Sequence, residues 1–282
     1  MNCYLCRSEN FKIVNEGTRD KNNISVIECM NCGLVTLDSH KHIDETFYRD
    51  SKMHSTKIKI SNWLEETQID DNRRIKFLKE KITNKKILDF GCGNGGFLLK
   101  ANSLTNEAKG IEPEMQFKSF FKKNNLKVLN SLIDLPPEKF DLITAFHVFE
   151  HLKDPIQMLS NLKHFLGTKS EIIIEVPNSD DALLTYYQSK KFANFTYWSQ
   201  HLFLFNEKTL ENLFIKSNYK INWIKQIQRY PLSNHLYWLS KGLPNGHKIF
   251  TAMSDTKLNF EYEKILKREK ICDTLLASIS LN

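Results

Sequence analysis

Lys86-Ile87-Leu88-Asp89-Phe90-Gly91-Cys92-Gly93-Asn94-Gly95-Gly96 is the stretch on which the reading of this chain turns. Its apolar residues Ile87, Leu88 and Phe90 spell a short buried strand. The glycines break it, and Phe97-Leu98-Leu99 resumes with residues a helix can carry. Strand, glycine turn and helix together bring backbone N–H groups close to a ligand. Glycine suits the turn because a side chain would hold the ligand away and because positive φ is open to it. The spacing Gly91-x-Gly93-x-x-Gly96, with Glu112 about 20 residues further on, is also that of a dinucleotide site. The turn alone does not name its ligand.

Outward from it, strands and helices alternate. Ala108–Ile111 reads as the next strand, ending at Glu112-Pro113, followed by a Phe- and Lys-rich helix and the short strand Lys127–Leu129. Phe140–Phe146 and Ile172–Val176 are further strands, and Asp154-Pro155 opens a helix between them with proline where its missing N–H costs nothing. This alternation predicts an α/β, doubly wound sheet. Further on, Asn206 caps a helix over 207–217, and 221–229 reads as a strand. Pro231–Gly246, rich in turn formers, reads as a loop or lid, and 273–280 as a final edge strand.

At the other end, Cys3-x-x-Cys6 and Cys29-x-x-Cys32 are two knuckles on either side of a short polar stretch, the spacing of a zinc ribbon. Four thiolates leave no position for water, so Zn2+ bound there is expected to be structural. The chain thus divides into a ribbon over 1–40, a helical connector or cover over 41–84 and an α/β domain over 85–282. Tyr48 or Trp63 of the connector could reach the ligand mouth.

The 282 residues are 41% apolar and 26% charged, a globular composition, with no run of about 18 apolar residues and no signal-like N-terminus. A cytoplasmic protein without membrane contact is expected. The net charge of +7 would serve an anionic substrate or a nucleic acid and does not choose between them.

Three features move the ligand of the turn from a dinucleotide to S-adenosylmethionine. Asp89 would repel a pyrophosphate but can hold an ammonium group. Glu112, ending the next strand, can accept both ribose hydroxyls, a feature shared with NAD sites. Phe140–Ile143 leads to His147-Val148-Phe149-Glu150-His151-Leu152 at the carboxyl end of the neighbouring strand, where ligands gather. At these residues the chain resembles the class I S-adenosylmethionine-dependent methyltransferases. The resemblance implies a seven-stranded Rossmann-like sheet with an antiparallel last strand. It also implies that Asp89, Gly91 and Gly93 hold the methionine end, Glu112 the ribose, Leu132 the adenine border and His147 the cofactor floor. His147 and His151 as metal ligands on one helix turn are a sharper alternative.

A ribbon joined to such a domain looks like the bacterial sugar methyltransferases, including the deoxysugar C-methyltransferases. Tyr197-Trp198-Ser199-Gln200-His201-Leu202-Phe203 resembles their Glu-His-Leu region, with Gln200 in place of the Glu. The resemblance implies His201 as catalytic base; His235 and Tyr48 are second-rank contacts to substrate. An enzyme acting on a small molecule, possibly a phosphorylated sugar, is expected, with nucleic acid not the expected partner. A ribbon-guided nucleic-acid or protein methyltransferase is the alternative, followed by a non-catalytic binding module and an NAD oxidoreductase.

Overall fold

In the computed structural model, residues 1–44, 47 and 59–282 are described. Three short antiparallel strands open the chain: β1 (Phe11–Asn15), β2 (Val26–Cys29) and β3 (Val35–Leu37). A long helix, α1 (Ile60–Ile82), follows. Its C-terminal half buries Leu78 and Ile82, whereas its middle buries Asp71 and Arg74, an ionic stretch that an apolar stripe does not predict.

The organising stretch is β4 (Lys86–Phe90), the glycine turn and helix α2 (Gly96–Ala101). Strands β5 (Glu107–Ile111), β6 (Lys127–Leu129), β7 (Phe140–Phe146) and β8 (Leu166–Pro177) extend the sheet in parallel. The two-residue β9 (Phe203–Leu204) belongs elsewhere, and β10 (Tyr219–Ile227) and β11 (Thr274–Leu281) complete the sheet in antiparallel sense. The strand order is β10-β11-β8-β7-β4-β5-β6, so the expected seven-stranded, doubly wound α/β sheet is present. Chain order runs outward from β4 through β5 to β6 on one side and from β7 to β8 on the other, where β11 and then β10 follow. The β4/β7 boundary is therefore the topological switch point, beside which ligands bind in such sheets.

Two expectations are corrected. The last strand, β11, lies inside the sheet rather than at its edge. Its Leu275, Leu276, Ala277 and Ile279 are buried, as suits a strand covered on both faces, and β10 with Lys220 and Lys225 takes the edge. Pro231–Gly246 is not a loop, for it contains a helix over Leu232–Lys241. The turn formers sit at the ends of that helix: Pro231 precedes its first residue and Gly242, at φ +69°, closes it, while Trp238 packs inward.

The first three strands do not form a sheet by themselves. β3 pairs antiparallel with β9, joining Val35 to Leu204 and Thr36 to Phe203. The order β1-β2-β3-β9 therefore joins the span 11–37 to a segment that lies beyond β8 in the chain. Among the described residues, no helix is long and apolar enough to cross a membrane.

Candidate active site

Asp89 stands at the end of β4 and is 2% exposed; its Oδ1 accepts the Thr144 hydroxyl of β7 at 2.7 Å. Gly91, Gly93 and Gly95 follow at φ +75°, +54° and +75°, in the left-handed region. At Gly91 the demand is steric as well, because a Cβ there would lie 2.4 Å from Val148 Cγ2. Glu112, just past β5, accepts the Gly93 N–H (2.8 Å) and the Glu114 N–H (2.9 Å), one on each carboxylate oxygen. The two carboxylates expected at the ligand thus flank the turn from adjacent strands. Burial pushes Asp89 up to about 7 against the Thr144 hydrogen bond, and pushes Glu112 up to about 7 against its two N–H donors. Buried carboxyls so raised suit a cationic ligand group, which would favour their ionised forms. The residues present fit S-adenosylmethionine, a sulfonium donor that supplies a methyl group when bound.

Helix α1 is docked onto the turn. Asn94 Nδ2 donates to Thr67 Oγ1 at 2.9 Å, and Trp63 packs over Gly93, where a Cβ would meet its ring at 3.4 Å. Trp63 also meets the Phe117 ring at 5.2 Å between centroids. Leu132 is half-buried on the short turn Leu132–Asp134, which Ser131 caps beyond β6. Tyr48 lies outside the described residues.

His147, directly after β7, takes the left-handed conformation at φ +56°. Its Nδ1 lies 3.1 Å from Glu150 Oε1, and its Nε2 lies 3.1 Å from Arg229 Nη1 and 3.3 Å from Glu175 Oε1. It belongs to an ion network in which Glu175 also accepts from Arg73 and Arg74 of α1, while Asp70 receives Arg229. Sequence reasoning missed this network. The apolar pattern of α1 gave no sign of it, because the partners of its Asp70, Arg73 and Arg74 lie on elements far along the chain, at Glu175 and Arg229.

His201 is brought beside Glu150 and His151. One ligand atom from each of the three residues lies within 4.8 Å of the other two. Burial, with His151 beside it, pulls His201 down to about 3, so its ring is neutral at ordinary pH. The alternative of His147 and His151 as paired metal ligands is corrected: the group that the structure brings together is Glu150, His151 and His201, with His147 outside it and its Nδ1 on Glu150 Oε1. His235 is placed apart, 1% exposed on the Leu232–Lys241 helix, with Nδ1 2.8 Å from the Tyr262 hydroxyl and Nε2 3.2 Å from Gln228 Nε2. At the N-terminus the Sγ atoms of Cys3 and Cys32, and of Cys6 and Cys29, lie 3.5 Å apart, and all four fall within 4.8 Å. Tetrahedral zinc at the usual Zn–S length spaces its sulfurs by about 3.8 Å, so this set could hold the ion.

The methyltransferase-domain family model matches residues 65–222. Among curated proteins, the chain is 31% identical over 119 residues to a tRNA U34 carboxymethyltransferase of Dichelobacter nodosus, covering 39% of this chain and 38% of that one. It is 30% identical over 150 residues to one of Helicobacter pylori, covering 48% and 56%. The match spans about half the length of these relatives or less. Solved structures share the fold: an S-adenosylmethionine-dependent methyltransferase of Archaeoglobus fulgidus (TM-score 0.53, 18% identity, 78% of this chain and 99% of that one) and a possible histamine N-methyltransferase of Thermotoga maritima (0.52, 15%, 86% and 100%). The expectation that set nucleic acid aside does not stand beside relatives named for tRNA, and it is corrected. With the glycine turn, its flanking carboxylates and the matched family model in agreement, the chain belongs to the methyltransferase-domain family and is a class I S-adenosylmethionine-dependent methyltransferase.

Proposed function

We propose that this enzyme transfers a methyl group from S-adenosylmethionine to a nucleic acid, with tRNA as the favoured acceptor class. The observation that carries this reading is the 30–31% identity to tRNA U34 carboxymethyltransferases over 119 and 150 residues. The surplus of 40 Lys and Arg over 33 Asp and Glu is compatible with a polyanionic acceptor. The sugar acceptor has no counterpart in the names of these relatives.

In this reading Asp89 holds the ammonium group of the donor, Gly91 and Gly93 admit its methionine end, and Glu112 binds the ribose hydroxyls. Leu132 borders the adenine, and His147 closes the floor. His201 activates the acceptor. His235, with both ring nitrogens engaged away from the turn, does not. Residues 1–40 act as a ribbon with structural zinc, 41–84 as connector and cover, and 85–282 as the transferase domain.

The test is incubation of the protein with isotopically labelled donor and either unmodified total tRNA or a panel of nucleotide-sugars, followed by mass spectrometry of nucleosides and sugars. Label in a tRNA nucleoside is expected, along with RNA binding that weakens steeply with salt. Label confined to sugars, or RNA affinity indifferent to salt, overturns the acceptor.

A further inference from the structure

Glu150 and His201 each present a buried polar atom with no hydrogen-bond partner among the described residues: Glu150 Oε2 and His201 Nδ1. Glu150 itself is 0% exposed, and its other oxygen is taken by His147 Nδ1 at 3.1 Å. One such orphan is costly; two in one cluster call for a shared partner. His151 Nδ1 lies 2.9 Å from the carbonyl oxygen of Gln200. A carbonyl only accepts, so Nδ1 carries the proton and Nε2 the lone pair. That is the tautomer and outer contact that a metal-ligating histidine uses.

We propose that Glu150, His151 and His201 form a second metal site, separate from the four cysteines, that holds a divalent transition ion of the Zn2+ type. The donor set supports this, since two imidazoles and one carboxylate suit zinc and its first-row neighbours better than Mg2+ or Ca2+. The buried Glu150 carboxylate supplies negative charge for the cation, beside Phe149 and Leu202 in the chain, both 0% exposed. Three protein ligands leave a position open for water or for an oxygen or nitrogen of an acceptor. The site sits next to the donor cradle, because Val148, on the same short segment as Glu150 and His151, is what a Cβ at Gly91 would strike. This deepens the acceptor-activating role given to His201 above and to that extent rests on it, but ion binding does not depend on what the acceptor is.

The measurement is metal content and Co2+ spectroscopy of the full-length protein. Two equivalents of Zn2+ per chain are expected, falling to one in Glu150→Gln and in His201→Asn. In Co2+ titration of the unaltered protein, one equivalent should show intense thiolate-to-cobalt charge transfer and the other only weak d–d bands of an N/O site. The second readout needs no variant, so a substitution that fails to fold does not spoil the test. An N/O-type spectrum also supports the site if the cysteines carry no metal. Saturation with a thiolate-only spectrum, or an undiminished second equivalent in a folded His201→Asn protein, overturns it. A protein that binds the N/O-type ion but leaves tRNA unlabelled sinks the tRNA reading and leaves the metal site standing.

Discussion

Arg74 Nη2 of α1 lies 2.6 Å from Glu175 Oε1 of β8, and both side chains are buried, Glu175 completely. The guanidinium carbon of Arg74 also sits 4.4 Å above the Phe146 ring. This pair ties the helix covering the glycine turn to the sheet beneath it. Burial pushes the Glu175 carboxyl up, but the charge of Arg74, the His147 hydrogen bond and the charge of Arg73 outweigh it and hold Glu175 well below the usual carboxylate range.

Removing one partner of such a pair leaves a buried charge. Glu175→Ala is therefore expected to cost about 3–5 kcal/mol in denaturant unfolding. The pH dependence has a fixed sign. A carboxyl with a lowered folded pKa contributes stability that is complete above its unfolded value and is lost as pH falls toward the folded one. Glu175 should thus contribute to acid unfolding below about pH 4.5, and a folded Glu175→Gln protein should have a flatter acid limb.

Asp89 and Glu112 act in the opposite sense. Their folded pKa values, both about 7, are raised, so without ligand the fold loses stability as pH rises from the ordinary carboxylate range through 7. A cationic donor prefers the ionised carboxylates. Its affinity should drop on going from about pH 8 to about pH 6, by up to about tenfold per unit for each carboxyl that must ionise. Calorimetric titration across that range checks this, and Asp89→Asn should bind weakly with a reduced slope. An affinity that does not change with pH would remove Asp89 from the ammonium site.

How far the sequence could be read follows from what each part depends on. The β4 strand, the turn and Glu112 were legible because chain neighbours set their geometry. Backbone freedom at Gly91 and a carboxylate at a strand end are local facts. Helix Leu232–Lys241 was misread because its punctuating residues lie at its boundaries rather than within it. The Glu150–His151–His201 group was only half legible. The first two are adjacent, but His201 arrives on a separate segment beyond β8, and no periodicity carries that meeting. The pairing of β3 with β9 was out of reach for the same reason.

Gly91→Ala should cripple the donor site in two separable ways. The left-handed backbone costs an L side chain about 1–2 kcal/mol, and the new Cβ meets Val148 Cγ2 at 2.4 Å. Donor affinity is expected to fall by more than about tenfold. Adding Val148→Ala should return the steric share and leave the backbone share. Full recovery in the double variant would show that conformation plays no part at this position.

The cysteine end should matter to the His201 segment. Thr36 Oγ1 donates to the Leu202 carbonyl at 2.8 Å, and Asp20 accepts the Ser199 N–H (3.0 Å) and hydroxyl (2.6 Å). If the four cysteines hold the proposed zinc, a Cys3→Ser, Cys32→Ser double substitution that removes it is expected to loosen the strands over 11–37. Amides over 199–204 should then exchange faster. Turnover should fall by more than about tenfold while donor affinity stays within about threefold. Unchanged exchange over 199–204 would mean that the two parts are energetically independent.

The β3–β9 pairing also bears on the order in which the chain takes shape as it leaves the ribosome. The four cysteines, the last of them Cys32, precede the large sheet in the chain and are made before it. The strand that completes their sheet, Phe203–Leu204, is made only after most of the large sheet has been synthesised. Until then β3 carries an open edge, the kind of surface on which nascent chains mispair. The enzyme is thus closed by a long-range contact made after most of the large sheet, and a truncated chain ending before Phe203 should emerge with the β3 edge of its cysteine-bearing end unpaired and sticky.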